Sequence, residues 1–458
     1  MKNRILALII GLSLWIVIIL GVIHISSLDE AFYREQYVKN EVAENIGISE
    51  EDLNKATAVL LDYLQGNTDD LTVFATIDGV SQEVFNQKEK DHMIDVQVLF
   101  VNAIWIRNIA LGLLLSIGAY LGFTQKSDAI AIVSKGFKEA SMVLGVLFGF
   151  IVVYAVLDFQ NFWILFHELL FTNDLWLLNP NTDNLILMVP LPFFYTMVSL
   201  ILFRSLMAIG FVFTLDWGLT HQGYDHRFLK WFALIAMTID HIGHFLFPEY
   251  IELRMIGRLA FPIFAYLFAL TYRNTSNRKR LLMQMSIAAV LTQALLYWTN
   301  VTELVNIFFL FMLAWLAFDA MDKRRIWLIL VIGGLADILG VDYGMYGIAV
   351  LTMFYFYHEQ RSKQMLGYAI ISLMFVVLPY LSADTWPMIP QIMHDFFGFY
   401  WRYFIQVLSI LALPLLFFYN TKKPLAYANK RWAFTEKYFF YVYYALHLAL
   451  LGVLRSIL

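Results

Sequence analysis

Cysteine is absent from this chain of 458 residues. Its absence excludes a disulfide framework, a thioester acyl-enzyme intermediate and a lipid-modified cysteine on the chain itself. Charge is scarce as well: 15% of residues are charged against 60% apolar, and the mean hydropathy is +0.65. Soluble domains are roughly a quarter charged and about half apolar, so this composition excludes a soluble globular fold and describes a multispan membrane protein. The first apolar run, behind Lys2 and Arg4 and closing at Ile23, is about 19 residues long and lacks a small-residue cleavage site. It reads as an uncleaved anchor rather than a signal peptide.

The charge that is present lies unevenly. Residues 25–97 hold sixteen Asp and Glu against five Lys and Arg, a balance of −11; the whole chain carries −4, so the remainder carries +7. Those remaining basic residues cluster in short loops, at Lys126, Lys135 and Lys138, at Arg273, Arg278, Lys279 and Arg280, at Lys323, Arg324 and Arg325, and at Lys422, Lys423, Lys430 and Arg431. Clusters this short do not make a nucleic-acid surface, and loops of this kind stay cytoplasmic. Apolar stretches fall near 5–23, 98–122, 139–159, 193–215, 230–247, 253–271, 281–298, 304–320, 326–340, 344–357, 365–382, 401–419 and 438–456. With Lys2 inside, strict alternation puts every basic cluster on that same side. A re-entrant segment near 326–357 would change the number of spans by two.

The expected fold class is therefore an all-α polytopic membrane protein with about 13 transmembrane helices, a cytoplasmic N-terminus and a small extracytoplasmic domain, residues 25–97, between the first two. Within that domain, Ser49-Glu50-Glu51-Asp52 reads as a capping box ahead of Leu53, Ala56, Leu60, Leu61 and Leu64 at helical spacing, with an end at Gly66. That apolar face must bury against the membrane surface or against the rest of the domain. Val73, Ala75 and Ile77 alternate with Thr72, Phe74 and Thr76 up to a turn-like Asp78-Gly79, which suggests a hairpin, although the residues after the turn alternate poorly. Residues 216–229 start polar and glycine-containing and read as a cytoplasmic linker between a domain at 1–215 and one at 230–458. His221 and His226 are five apart, a poor metal spacing, so no metal is expected. No internal repeat emerges.

Two histidine patches carry the chemistry of the first domain. Lys90-Asp91-His92-Met93-Ile94-Asp95-Val96 precedes the second span, and Phe166-His167-Glu168 is followed by Thr172-Asn173-Asp174-Leu175-Trp176-Leu177-Leu178-Asn179-Pro180 and Asp183. By the alternation both face outward at the lipid boundary, where imidazole is suited to proton transfer near neutral pH. The motifs resemble the lipoprotein intramolecular transacylase (Lit) family over residues 1 to about 212. The resemblance implies movement of the sn-2 acyl chain of a diacylglyceryl-cysteine onto that cysteine's own α-amine, with bacterial lipoproteins as substrate, membrane lipid around them and no cofactor. One histidine would act as base and then acid while the other holds the oxyanion or relays the proton. Asp95, three residues after His92 on a helix, can orient or charge it. Asn173, Asp174 and Asp183 are supporting candidates. Arg107, deep in span two, should face the interior and meet a substrate carbonyl or a carboxylate. Trp163 and Trp176 read as interface anchors and His24 as a structural residue.

In the second domain, Ile239-Asp240-His241, Gly257-Arg258-Leu259-Ala260-Phe261-Pro262, Asp342-Tyr343-Gly344-Met345-Tyr346-Gly347 and Tyr443-Tyr444-Ala445-Leu446-His447 resemble the TraX family across 229–458. Ala445 stands where that family has proline, and Thr421-Lys422-Lys423-Pro424 departs from its usual turn. At about 1.5 Å per residue, Asp240 and His241 lie roughly 15 Å into their span, Asp337 and His447 reach similar depth, and Arg258 enters about 9 Å from the other side. Ionisable groups at such depth pair or line a wet cavity. Asp240 and His241 can take a proton from an acceptor, with Arg258 holding an anion, and Asp337, Asp342 and His447 in support. The resemblance implies an acetyl donor, acetyl-CoA, from the cytoplasm, its phosphates met by Arg278, Lys279, Arg280, Arg324 and Arg325. The expected function is a bifunctional lipoprotein-modifying enzyme whose second half acetylates the freed glyceryl hydroxyl. N-acetylation of protein N-termini and a non-enzymatic transporter or assembly partner are the alternatives.

Overall fold

The computed structural model describes residues 2–125, 128–221, 223–248, 250–299, 305–378, 400–420 and 430–457. Lys126, Lys422, Lys423, the turn Thr421–Pro424 and the end of the expected span 365–382 lie outside them. The chain divides into two compact units, with the break between Asp216 and Trp217. Among the described residues seven helices are long and apolar enough to cross a membrane, which makes this a multi-pass membrane protein.

In the first unit, α1 (Lys2–Ser27) packs along α6 (Ala129–Leu157) and α5 (Gln87–Thr124), and α9 (Leu191–Thr220) follows later in the chain. The α1–α6 contact is a backbone approach between small residues: a Cβ on Gly11 would overlap the Gly136 carbonyl, and one on Gly136 the Ala7 carbonyl. The insert between α1 and α5 holds α2 (Glu30–Lys39), α3 (Val42–Ile46), α4 (Glu50–Leu64) and a hairpin, β1 (Phe74–Ile77) against β2 (Val80–Glu83). Leu53, Ala56, Leu60, Leu61 and Leu64 bury against Phe32, Tyr37, Ile77 and Phe85, so the apolar face of α4 packs on its own domain. Ser49 caps α4 by accepting from the Asp52 amide at 3.1 Å, but Asp52 turns to Lys55 instead of completing the box. The hairpin turns at Asp78 and Gly79, both at positive φ, the geometry that makes Asp-Gly a two-residue hairpin loop. Ala75 and Ile77 point inward and Phe74 outward. Helix α7 (Phe159–Leu170) carries His167 itself, and the rest of the second patch, residues 172–183, forms the loop that leads into α8 (Asn184–Met188).

In the second unit, α10 (His226–Phe245), against which α11 (Ile251–Gly257) packs, shares one apolar core with α12 (Ala260–Asn274), α13 (Arg278–Trp298), α14 (Ile307–Asp322), α15 (Trp327–Ile338), α16 (Gly344–Phe356), α17 (Arg361–Val377) and the C-terminal helix Lys430–Ile457. A 3₁₀ stretch, Tyr400–Ala412, runs into the short helix Leu413–Phe417. Several expected spans are shorter than the reading required. At about 18 and 20 Å, α15 and α16 fall short of a hydrocarbon core of about 30 Å. The expected span 253–271 turns at Arg258, between α11 and α12, although the two together, Ile251–Asn274, make one of the seven stretches long enough to cross. Pro262 stands in the first turn of α12, where its missing N–H has no intrahelical partner to serve. Of the expected linker, residues up to Thr220 complete α9 and His226 begins α10. Between them Tyr224 donates to the Phe418 carbonyl at 2.9 Å and accepts from Asn420 at 2.8 Å.

Candidate active sites

In the first unit the start of α5 is built around its cap. Asn86 accepts from the Glu89 amide at 3.1 Å, and Glu89 accepts in return from the Asn86 amide at 2.6 Å. Glu89 also accepts from the Leu185 amide, and Asn184 donates to the Val84 carbonyl at 2.7 Å. Asp183, almost fully buried, accepts from the Asn86 side chain at 2.9 Å, the Asn179 amide at 2.7 Å and the Thr182 hydroxyl at 2.8 Å. Burial would raise its carboxyl, but those hydrogen bonds and the Lys88 ammonium hold it below the usual carboxylate range. Asp183 is thus a clamp that ties the 179–185 loop to the helix bearing His92. Asp183→Ala is expected to destabilise this unit by about 1–3 kcal/mol for each donor left unsatisfied. A thermal unfolding midpoint equal to wild type would contradict that role.

The clamp brings the two histidines to one aromatic ring. His92 meets the edge of Phe171 with centroids 5.3 Å apart, and His167 lies 5.6 Å from the same ring. His167 is also stacked on Trp176 at 4.9 Å and edge-on to Trp163 at 4.8 Å, so these tryptophans form its cage rather than serving as interface anchors alone. Its Nδ1 lies 2.8 Å from the Trp163 carbonyl oxygen, which can only accept. The proton therefore sits on Nδ1 and a neutral ring keeps its lone pair on Nε2. Burial holds the His167 imidazole below its ordinary pKa, with the Trp163 carbonyl pulling the other way. His92 is buried, and its Nδ1 has no hydrogen-bond partner among the described residues.

The supporting candidates divide. Asp95 accepts from the Asn173 side chain at 2.8 Å, which joins the two motifs, so its hydrogen bond goes to Asn173 rather than to His92. Asp174 is exposed and contributes its carbonyl to a turn with Leu177. Arg107 donates to the neighbouring Asn108 side chain at 3.0 Å rather than to a carboxylate. His24 stacks on Phe100. Phe171, Asn86 and Glu89 escaped sequence reasoning; the Asn-x-x-Glu spacing at the start of α5 was the available signal for the last two.

In the second unit a cavity of about 440 Å³ runs along α10. His226 and Lys230 line one end, and Asp240, His241, Asp342 and Tyr343 the other; the walls between include Met237, Phe264, Phe268, Met285 and Phe311. From Lys230 to His241 the helix rises about 16 Å. Asp240 accepts from Arg254 at 2.9 Å, leaving its Oδ1 without a hydrogen-bond partner among the described residues. His241 Nδ1 lies 2.7 Å from His447 Nε2. Arg258 donates to Gln406 at 3.2 Å, and its Nε is buried without a partner among the described residues.

Asp240, His241, Asp342 and His447 are therefore brought together, with Arg258 near enough for its charge to act on both carboxylates. Asp337 is not part of this group. It is exposed and accepts from the Met345 amide at 2.7 Å as the cap of α16, because the short α15 ends one residue later. Arg278 pairs with Asp322 at 2.5 Å, and the basic side chains lining the cavity are His226 and Lys230 rather than the expected arginines. Arg254 was missed; it lies four residues before Arg258, on the same helical side.

Two unusual backbone positions frame the site. Tyr343 has φ 63 and stacks on Phe261 at 3.9 Å. A Cβ on Gly257 would overlap the Asp240 carboxyl, which explains the glycine ahead of Arg258. Gly257→Ala must displace Asp240, and any acyl transfer by this unit is expected to fall by about 10²-fold, the cost of an ångström-scale misplacement. Wild-type turnover in that variant would contradict the placement.

A family model described as lipoprotein intramolecular transacylase Lit matches residues 8–194, and one described as TraX protein matches residues 225–455. A protein of Rickettsia prowazekii (strain Madrid E), RP591, is 58% identical over 38 residues, 8% of this chain and 15% of that protein. The probable fimbrial assembly protein FimC, serogroup H1, of Dichelobacter nodosus is 24% identical over 245 residues, 49% of this chain and 92% of that one. Among solved structures, the membrane integral lipoprotein intramolecular transacylase Lit from Bacillus cereus is 19% identical, covers 48% of this chain and 94% of its own, and has a TM-score of 0.40. By its second unit the chain belongs to the TraX family, and it carries a Lit-like part ahead of it in a two-part arrangement.

Proposed function

We propose that the chain is a bifunctional lipoprotein-modifying enzyme of the cell membrane, with its N-terminus cytoplasmic and its histidine pair at the outer face. The first unit moves the sn-2 acyl chain of a diacylglyceryl-cysteine to the α-amine. The observation that carries this reading is the meeting of His92 and His167 on Phe171. His167 Nε2 takes the amine proton as nitrogen adds to the ester carbonyl, and returns it to the departing glyceryl oxygen; His92 donates to the oxyanion. Ester and amine sit on one molecule, so their effective concentration is already high and no covalent nucleophile is required.

The second unit acetylates the glyceryl hydroxyl that the shift exposes. Acetyl-CoA would supply a thioester from the cytoplasm, and three features of the cavity support this reading: basic side chains at one end, apolar walls, and at the other end His241 beside the unpartnered Oδ1 of Asp240. Lys230 and His226 meet the phosphate end, His241 moves the proton, and Arg258 favours the developing oxyanion. The likeness to a probable fimbrial assembly protein supports a second reading, an assembly partner that transfers no acyl group. Mass spectrometry of lipoprotein N-terminal peptides from cells with and without the gene tests the proposal. It expects a lyso product carrying one acetyl group only where the gene is present; identical peptides would favour a transporter or assembly partner.

A further inference from the structure

The contact between His241 and His447 fixes where their protons are. His447 Nδ1 lies 2.8 Å from the Tyr443 carbonyl oxygen, an acceptor only, so that nitrogen carries the proton. In a neutral ring His447 Nε2 is then an acceptor, and His241 Nδ1, 2.7 Å away, must donate to it. The lone pair of His241 is left on Nε2, in a ring that lines the polar end of the cavity. Asp240 does not orient this ring. Its carboxylate accepts from Arg254, and adjacent residues on a helix do not face each other. The partner ring is held in turn: Tyr443 stacks on His447 at 4.9 Å, and the Tyr443 hydroxyl lies 2.9 Å from Thr238 on α10.

We propose that His447 is the positioning residue that sets the tautomer of His241, in the place an aspartate occupies in a Ser-His-Asp arrangement. The proposal rests on the acyl-transfer reading of this unit. In the step it serves, the acceptor hydroxyl gives its proton to His241 Nε2 as its oxygen bonds to the thioester carbonyl carbon. The C–S bond then breaks, and the leaving thiolate takes that proton, which returns His241 to its starting tautomer. Throughout, His241 Nδ1–H stays on His447 Nε2.

The test uses the full chain in lipid nanodiscs with ¹⁵N-labelled histidine, the His241 signals being assigned by their loss in His241→Gln. Wild type should show His241 protonated at Nδ1 only. His447→Leu should move that proton to Nε2 and lower kcat by about 10²–10⁴-fold with little change in KM for acetyl-CoA. His447→Gln, whose amide oxygen can accept from His241 Nδ1, should keep the wild-type tautomer and stay within roughly tenfold of its kcat. An Nδ1–H His241 in His447→Leu, or equal loss in both variants with the tautomer unchanged, overturns the proposal. A wild type whose His241 tautomer depends on His447 but which transfers no acetyl group upholds the pairing and removes the acyl-transfer reading.

Discussion

His92→Ala and His167→Ala are each expected to give stably inserted protein that forms no N-acylated lyso-lipoprotein. A positioned acid or base contributes about 10²–10⁴-fold, and here the same imidazole must serve in both directions of proton transfer. The His167 variant should lose most. Its Nε2 carries the lone pair, and burial keeps the ring neutral at pH 7, so no other group in the cage of Trp163, Trp176 and Phe171 can replace it. His92→Ala removes an oxyanion donor, a loss of roughly 10²–10³-fold. The capping network of Asn86, Glu89 and Asp183 involves neither imidazole, so folding should survive both substitutions. Near-normal lyso product from either variant, measured by mass spectrometry of lipoprotein N-terminal peptides, would overturn the assignment.

Asp240→Asn, His241→Ala and Arg258→Ala should leave the acyl shift intact and remove the mass of one acetyl group from the product. The three act differently. His241→Ala deletes the proton acceptor, an expected loss of about 10²–10⁴-fold. Arg258→Ala removes a cation whose charge acts on Asp240 and Asp342 at the polar end of the cavity. Asp240→Asn removes the carboxylate charge that faces the half-buried Arg254 guanidinium, which perturbs the α10–α11 contact as well as the polar end of the cavity. Loss of the acyl shift in all three would mean that the two activities are not separable. Retention of acetylation in His241→Ala would remove this residue from the chemistry.

Spacing made faces and motifs legible. The buried face of α4, the Asp-Gly hairpin turn and the glycine-arginine motif all follow from local rules, and the structure uses each for a local reason. Depth counted along the sequence assumes straight, continuous spans, and this chain interrupts them. Counting residues puts Asp337 at a depth similar to that of Asp240, yet α15 is only 12 residues long and ends at Ile338, which leaves Asp337 as a cap. Uniformly apolar composition hides where helices stop, so α15, α16 and the break at Arg258 could not be read from hydropathy. Partner choice was equally hidden. Asp240 pairs with Arg254 rather than Arg258, and Trp163 and Trp176 enclose His167, since rotation about a helix axis is decided by tertiary packing.

The central claim is sequential chemistry on one lipoprotein, an acyl shift to nitrogen followed by acetylation of the oxygen it exposes. Tandem mass spectrometry of the N-terminal lipopeptide from cells carrying the wild-type gene tests it most directly. The account predicts a long acyl chain on the cysteine nitrogen and an acetyl group on the glyceryl sn-2 oxygen of the same molecule. An acetyl group on nitrogen with both long chains still on glycerol, or no acetyl group at all, would contradict it.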